Sequence, residues 1–481
     1  MWSQIDTSKE TQQCPNGAAT LQIVRLLPYD SMEAVSCVID IYAQSTLMTR
    51  AFTTAPVSRF EARRLVLKLT CLQNPDQISE WVAARRASEE THLRRLIRQI
   101  DIDALCKRAT FLRNGVKCSA SLPGDHDSLK GLQFGGFNLH VEIKFDDGVI
   151  WLARFRLLKI NRPSPEKIDF DRLSEVATYR LLRTTNIPVP SVYDFALDGD
   201  KDNPVGVGYI LLEKLSGQPM NWSQATTSQK KHVFQQLKDV YLELEKIPQS
   251  SIGRPVFCGN NTDTVHVGAC FFDYDPNGRC IARGPFSTYF EWYDACINRR
   301  RDLIMAGEIA GRARYDAFLV NRYLHDNVFR ALDTPSTSGL FFLKHVDSRD
   351  CNFLVDKDYT ITGIIDWELA FFAPKDTAFQ CPLFMVDVEK LYAGYPEIGA
   401  DEELFAQEFD YANRHDIARI VRDGRKYRSI EFSLDTDTHN SDDFRALFAG
   451  AWRVVEGEEK EFSWDTWKKV AQTQYLDPFQ S

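Results

Sequence analysis

The sequence predicts an α+β, bilobal protein: a small β-rich N-lobe, a larger and mainly helical C-lobe, and a helical N-terminal extension. Three observations predict it. Apolar residues alternate around a tight turn between residues 137 and 156. An apolar stripe at helical spacing runs from Ser228 to Lys246. Two short β-branched runs flank a polar break between Asn352 and Asp366. The chain of 481 residues has room for several structural units. The expected division is 1–117, 130–215, 216–395 and 396–481.

Residues 1–117 read as mostly helical, and Gln77 to Leu105 carry a mixed-charge face of the kind that belongs in solvent. The loop-like SASLPGDHDSLKG closes this unit. Leu139, Val141, Ile143 and Phe145 then alternate, Asp146-Asp147-Gly148 makes a turn, and a second strand starts at Val149. In DFDRLSEVATYRLLRTTNIPVP, Leu173, Val176, Ala177, Tyr179 and Leu181 give an amphipathic helix. GYILLEKLSG reads as a buried strand with a polar exit. Val233, Phe234, Leu237, Val240, Tyr241 and Leu244 share one helical face as core packing. Residues 255–340, rich in aromatics and helix formers, are expected to wall a substrate site in the larger lobe, and residues 396–481 read as helical with a polar break.

The chemistry is concentrated in KHVDSRDCNFLV, residues 344–355. Alone, these residues suit a surface turn leading into a strand. The sequel FLV-DKDY-ITGII-DWE makes them the start of a hairpin turning at Lys357 and Asp358, which brings Asp347, Asn352 and Asp366 to one edge. Two converging oxygen-bearing side chains suit a hard cation such as Mg²⁺, whose other positions are filled by phosphate oxygens and water. Asp347 is then left to accept a hydrogen bond from an attacking hydroxyl. Phosphoryl transfer divides its labour in this way.

HVDSRDCN followed by IIDWE resembles the catalytic loop and metal aspartate of the aminoglycoside phosphotransferase family, whose pattern is H-G-D-x-x-x-x-N and then I-D-W-E. LCKRATFLRNGVKC resembles the lead-in seen in fungal members. The resemblance implies a protein-kinase-like fold, ATP and Mg²⁺ as cofactors, and a small-molecule hydroxyl as phosphate acceptor. It implies Asp347 as catalytic base and Asn352 and Asp366 as holders of Mg²⁺. Val346 stands where the family has glycine. Arg349 stands where it usually has histidine, and is either a contact to the transferred phosphate or a solvated loop residue. Asp350 would oppose phosphate binding if it pointed inward.

The same resemblance assigns the N-lobe. By period two, Leu152 and Arg154 share a strand face, and the resemblance makes Arg154 the phosphate-binding cation, with Arg156 as fallback and Glu175 as its ion-pair partner. Glu213 to Leu215 become the hinge that meets the adenine, or else an ordinary strand end. Gly135 and Gly136 precede the first strand as a phosphate cradle or a simple turn, because a full G-x-G-x-x-G is absent.

Composition narrows the partners. A net charge of −9 without a long basic run argues against a nucleic-acid groove. No apolar stretch approaches the roughly 20 residues of a membrane span, and the polar start MWSQIDTSKETQQC lacks a signal-peptide core. Eleven irregularly spaced cysteines read as thiols of a reducing compartment, so the cytosol is the expected location. A protein kinase is disfavoured by I-D-W in place of D-F-G and by the lack of A-P-E. A catalytically weak, nucleotide-binding or scaffolding relative is the other reading. Nothing in the sequence bears on oligomeric state.

Overall fold

The structure, a computed structural model, describes residues 90–122, 138–157, 163–258, 261–274, 279–310, 313–331, 339–395, 397–435 and 441–479. The small lobe is built on an antiparallel five-stranded sheet in the order β1-β2-β3-β5-β4. Its strands are β1 (Cys118–Ser119), β2 (Asn138–Phe145), β3 (Ile150–Arg156), β4 (Val192–Ala196) and β5 (Tyr209–Glu213). The β2–β3 register pairs Leu139 with Phe155 and Asn138 with Arg156. Gly148 closes the turn at φ +86°, a backbone angle that costs glycine little.

Leu139, Val141, Ile143 and Phe145 are all buried, as the alternation predicts. Their cover is helix α1 (Ile102–Leu112), capped at its N-terminus by the Asp101 side chain and presenting Leu105 and Ala109 to the sheet. Each of the larger of these side chains contributes about 1.5–3 kcal/mol by leaving water. α1 and β1, expected to belong with the N-terminal extension, thus pack within the small lobe; residues 123–131 of the loop-like stretch lie outside the described residues.

Helix α2 (Pro165–Leu182), started by Ser164 as N-cap, covers the sheet's other face. Its Val176, Tyr179 and Leu182 join a core that continues through Ile210 and Leu212 into the larger lobe. There it meets α3 (Thr227–Leu244), which opens on a capping box between Thr226 and Gln229. The chain crosses between lobes after β5 and forms β6 (Gln218–Pro219).

Residues 255–283, part of a lobe expected to be mainly helical, form two ribbons. One pairs β7 (Pro255–Cys258) with β8 (Asn261–Val267), the other β9 (Phe271–Tyr274) with β10 (Cys280–Arg283). Alternation in TDTVHV outweighs the helix formers around it. The first ribbon leans on α2, where Arg254 pairs with Asp171 and lies 5.2 Å from the Phe170 ring. Helices follow as expected: α4 (Tyr289–Met305) and α5 (Arg314–Ala331).

The segment around KHVDSRDCNFLV comprises β11 (Phe342–Lys344), β12 (Phe353–Val355), β13 (Ile361–Ile364) and β14 (Phe371–Ala373). β12 pairs with both β13 and β6, and β11 with β14. Short helices α6 (Lys375–Ala378) and α7 (Val388–Tyr392) lead to α8 (Ala400–Tyr411), α9 (His415–Asp435), α10 (Ser441–Glu456) and α11 (Trp464–Gln474). Residues of α4, α5, α9, α10 and α11 form a second core. Among the described residues, no helix is long and apolar enough to cross a membrane, and the cysteines described are free thiols.

Candidate active site

The hairpin that follows the loop 345–352 pairs Phe353 with Ile364, and the Ile365 N–H donates to the Asn352 carbonyl at 2.9 Å. Its turn is tied by Asp356 Oδ1, which accepts from the Asp358 and Thr360 N–H groups, each at 2.9 Å. Asn352 and Asp366 thereby reach the same open end. The Asn352 Nδ2 group donates to the Asp347 carbonyl at 2.9 Å, closing the loop so that Asp347 stays beside them.

Within the loop, Arg349 grips Asp347 with both guanidinium edges: Nε donates to Oδ1 at 2.6 Å and a terminal nitrogen donates to Oδ2. This paired hydrogen bond pushes the arginine pKa up, so Arg349 stays charged. Asp350 is committed elsewhere, accepting from the Trp222 N–H at 3.1 Å and the Cys351 N–H at 2.9 Å. Val346 lies outside the left-handed backbone region, so this loop path does not require glycine there. His345 Nε2–H donates to the Ile365 carbonyl at 2.9 Å and its ring lies 4.5 Å from that of Trp367. Burial pushes its pKa down and keeps it neutral.

Asp366 has a left-handed backbone, φ +62°. Its N–H donates to the Tyr179 hydroxyl at 3.2 Å, and the next residue is pinned by Trp367 Nε1–H on the Ile364 carbonyl at 3.0 Å. Burial raises the Tyr179 phenol to about 12, so it remains protonated. Burial also raises the Asp366 pKa; the Arg154 guanidinium opposes this and Glu368 adds to it.

Arg154 reaches this site from the sheet. It is 6% exposed and pairs with Glu175, which is 5% exposed, while its other terminal nitrogen contacts Asp366 Oδ1 at 3.1 Å and Glu368 Oε2 at 2.6 Å. Glu368 also takes Arg156 on Oε1 and accepts from Asn138 Nδ2 at 3.3 Å. Burial alone would raise the Glu368 pKa, but Arg156 and Arg154 carry it down to about 2. Glu368, Asn138 and Tyr179 join this cluster, though the sequence assigns none of them a role in it. The only signal for Glu368 was its place in I-D-W-E, and the other two become visible only in register and packing.

The remaining sequence-predicted residues are distributed as follows. Glu213 ends β5, its carboxylate accepting from Ser191 Oγ–H at 2.8 Å and N–H at 3.1 Å. Leu215 packs over the hairpin at Gly363, where a Cβ would stand 2.5 Å from Leu215 Cδ1. Both residues lie where the chain leaves the sheet for the larger lobe. Gly135 and Gly136 lie outside the described residues. The amide and carboxylate oxygens of Asn352 and Asp366 form a hard donor set at one end of a hairpin and fit Mg²⁺.

Residues 149–374 match the model of the phosphotransferase enzyme family, APH. That segment runs from the end of the β2–β3 turn past β14 and includes Arg154, Glu175, Asp347, Asn352, Asp366 and Glu368. A subtelomeric hrmA-associated cluster protein of Aspergillus fumigatus is 33% identical over 109 residues, covering 22% of this chain and 20% of that protein. Clavilactone A biosynthesis cluster protein Y of Ampulloclitocybe clavipes is 27% identical over 261 residues, covering 52% of this chain and 62% of that protein. The matches thus span less than two thirds of these relatives' own length. Among solved structures, the GDP complex of an aminoglycoside 2′-phosphotransferase shares 14% identity at a TM-score of 0.39, covering 74% of this chain and 95% of that one. Through residues 149–374, just under half of its length, this chain is similar to the phosphotransferase enzyme family.

Proposed function

We propose that the protein transfers the γ-phosphoryl group of ATP to a hydroxyl of a small molecule. The observation that carries this reading is the convergence of Asp347, Asn352 and Asp366 at one hairpin end, with Arg154 brought to Asp366 from the other lobe. Asn352 and Asp366 would hold Mg²⁺, which when bound neutralises phosphate charge. Arg154, oriented by Glu175, would meet phosphate oxygens with charge-assisted hydrogen bonds. Asp347 accepts the hydrogen bond of the acceptor hydroxyl and takes its proton as the new P–O bond forms and the bond to ADP breaks. Arg349 fixes the Asp347 carboxylate by its two-edged grip and stands next to where the transferred group passes. Glu213 to Leu215 lie where backbone groups would meet the adenine. ATP as donor and free thiols suit a cytosolic setting.

One observation favours a second reading, a nucleotide-binding protein of weak activity: Arg154 is already engaged by three carboxylates, those of Glu175, Asp366 and Glu368. Purified protein with Mg-ATP, screened against amino-alcohols, aminoglycosides and fungal metabolites for acceptor-dependent ADP release, separates the two. Release with an acceptor and not without supports transfer. A folded sample that binds ATP and releases no ADP with any acceptor supports the second reading.

A further inference from the structure

A cavity of about 70 Å³ lies behind the catalytic loop. Trp367 and residues of α3 form its apolar side; Lys344, His345, Gln380, Arg428 and Glu431 form its polar side. Asp347 is not part of the lining, so the cavity is distinct from the side of the loop that would receive an acceptor.

Three nitrogens of this polar side are buried and have no hydrogen-bond partner among the described residues: His345 Nδ1, Gln380 Nε2 and Arg428 Nε. Gln380 is 4% exposed and Arg428 7%. The amide and guanidinium nitrogens can only donate, so what satisfies them must accept. The charge points the same way. Lys344 and Arg428 are two cations against one carboxylate, Glu431, which lies 3.8 Å from the Lys344 ammonium.

Size sets the class of ligand. The cavity exceeds the ~10–15 Å³ that one water needs but is about half of the ~150 Å³ that admits benzene. We propose that it is a binding site for a small monovalent anion, of halide or formate size, held by Gln380, Arg428 and Lys344. Burial depresses the Lys344 pKa, and an anion beside it would restore the charged form. Such an anion would brace the loop from behind, because His345 links the cavity wall to the Ile365 carbonyl next to Asp366. The proposal stands apart from the phosphoryl-transfer reading, and its test needs no turnover.

The full chain is melted in sodium bromide, sodium formate or sodium gluconate at equal ionic strength, gluconate being too large for the cavity. A saturable rise in Tm with bromide or formate over gluconate is expected, and whichever anion responds assigns halide or carboxylate chemistry. Gln380→Leu keeps the side chain's shape and removes the unpaired donor. It should melt at or above the parent in gluconate and lose at least tenfold in anion affinity. Crystals grown with bromide should show an anomalous peak within hydrogen-bond distance of Gln380 Nε2 and Arg428 Nε. No saturable shift over gluconate, an equal response in Gln380→Leu, or a cavity without bromide in crystals whose protein responds in solution would each overturn the proposal.

Discussion

The Arg154 guanidinium lies 3.1 Å from Asp366 Oδ1, joining a strand of the small lobe to the hairpin end of the large one. The same nitrogen lies 2.6 Å from Glu368, so nucleotide phosphates would compete with two carboxylates for it. Arg154→Ala should weaken ATP binding at least tenfold, since charge-assisted hydrogen bonds contribute about 1.5–3 kcal/mol. Glu368→Gln should tighten it several-fold by removing the competitor. Titration calorimetry with Mg-ATP measures both, and weaker binding by Glu368→Gln would make that residue a brace for Arg154 instead. Arg156→Ala should change ATP affinity little, because Arg156 pairs with Glu368, one step removed from the proposed phosphate contact of Arg154.

Acid should loosen the contact between lobes. Glu368 titrates at about 2 in the folded chain against an ordinary 4.5. A carboxylate lowered by folding contributes stability that is present above its unfolded pKa and lost as pH falls through the folded one. Stability should therefore decline from about pH 4.5 toward pH 2, and urea melts across that range should show a shallower decline in Glu368→Gln.

The two central aspartates should separate by assay. Asp366→Ala should lose most Mg-ATP affinity in calorimetry, because it removes the metal carboxylate. Asp347→Ala should bind ATP like the parent, because it acts on the hydroxyl in the transition state. Neither should transfer phosphate. Asp347→Ala folded, ATP-bound and fully active with an acceptor would remove HVDSRDCN from the chemistry.

Tyr179→Phe deletes the hydroxyl that accepts from the Asp366 N–H in a buried setting. An orphaned buried donor costs about 1–3 kcal/mol, and the left-handed Asp366 backbone loses a restraint. Urea unfolding should show a loss in that range, and Mg-ATP affinity should fall with it. Unchanged stability would mean that the bond contributes nothing net.

Asp350 accepts two backbone N–H bonds, one of them from Trp222. Asp350→Asn should leave ATP affinity unchanged at low and high salt, while Asp350→Ala should cost about 0.5–2 kcal/mol in stability, as loss of a capping carboxylate does. Tighter ATP binding by Asp350→Asn would mean that its charge acts on the phosphates.

What the sequence by itself determined was local. Asp146-Asp147-Gly148 and the break DKDY each close a hairpin because turn geometry and the period-two alternation act between neighbours. The spacing from Asp347 through Asn352 to Asp366 was legible for the same reason. Arg154 and Glu175 could be named as a pair, one on a strand and one on the helix that covers it, and the structure puts them in contact. Only the tertiary structure brought Arg154 and Arg156 together on Glu368, one on each carboxylate oxygen. It alone brought the Tyr179 hydroxyl to the Asp366 backbone, 187 residues away, and turned Asp350 toward Trp222. It also put two ribbons at residues 255–283 in the mainly helical lobe, the first of them packed against α2. These choices depend on packing between segments far apart in the chain, and no periodicity within either segment encodes them.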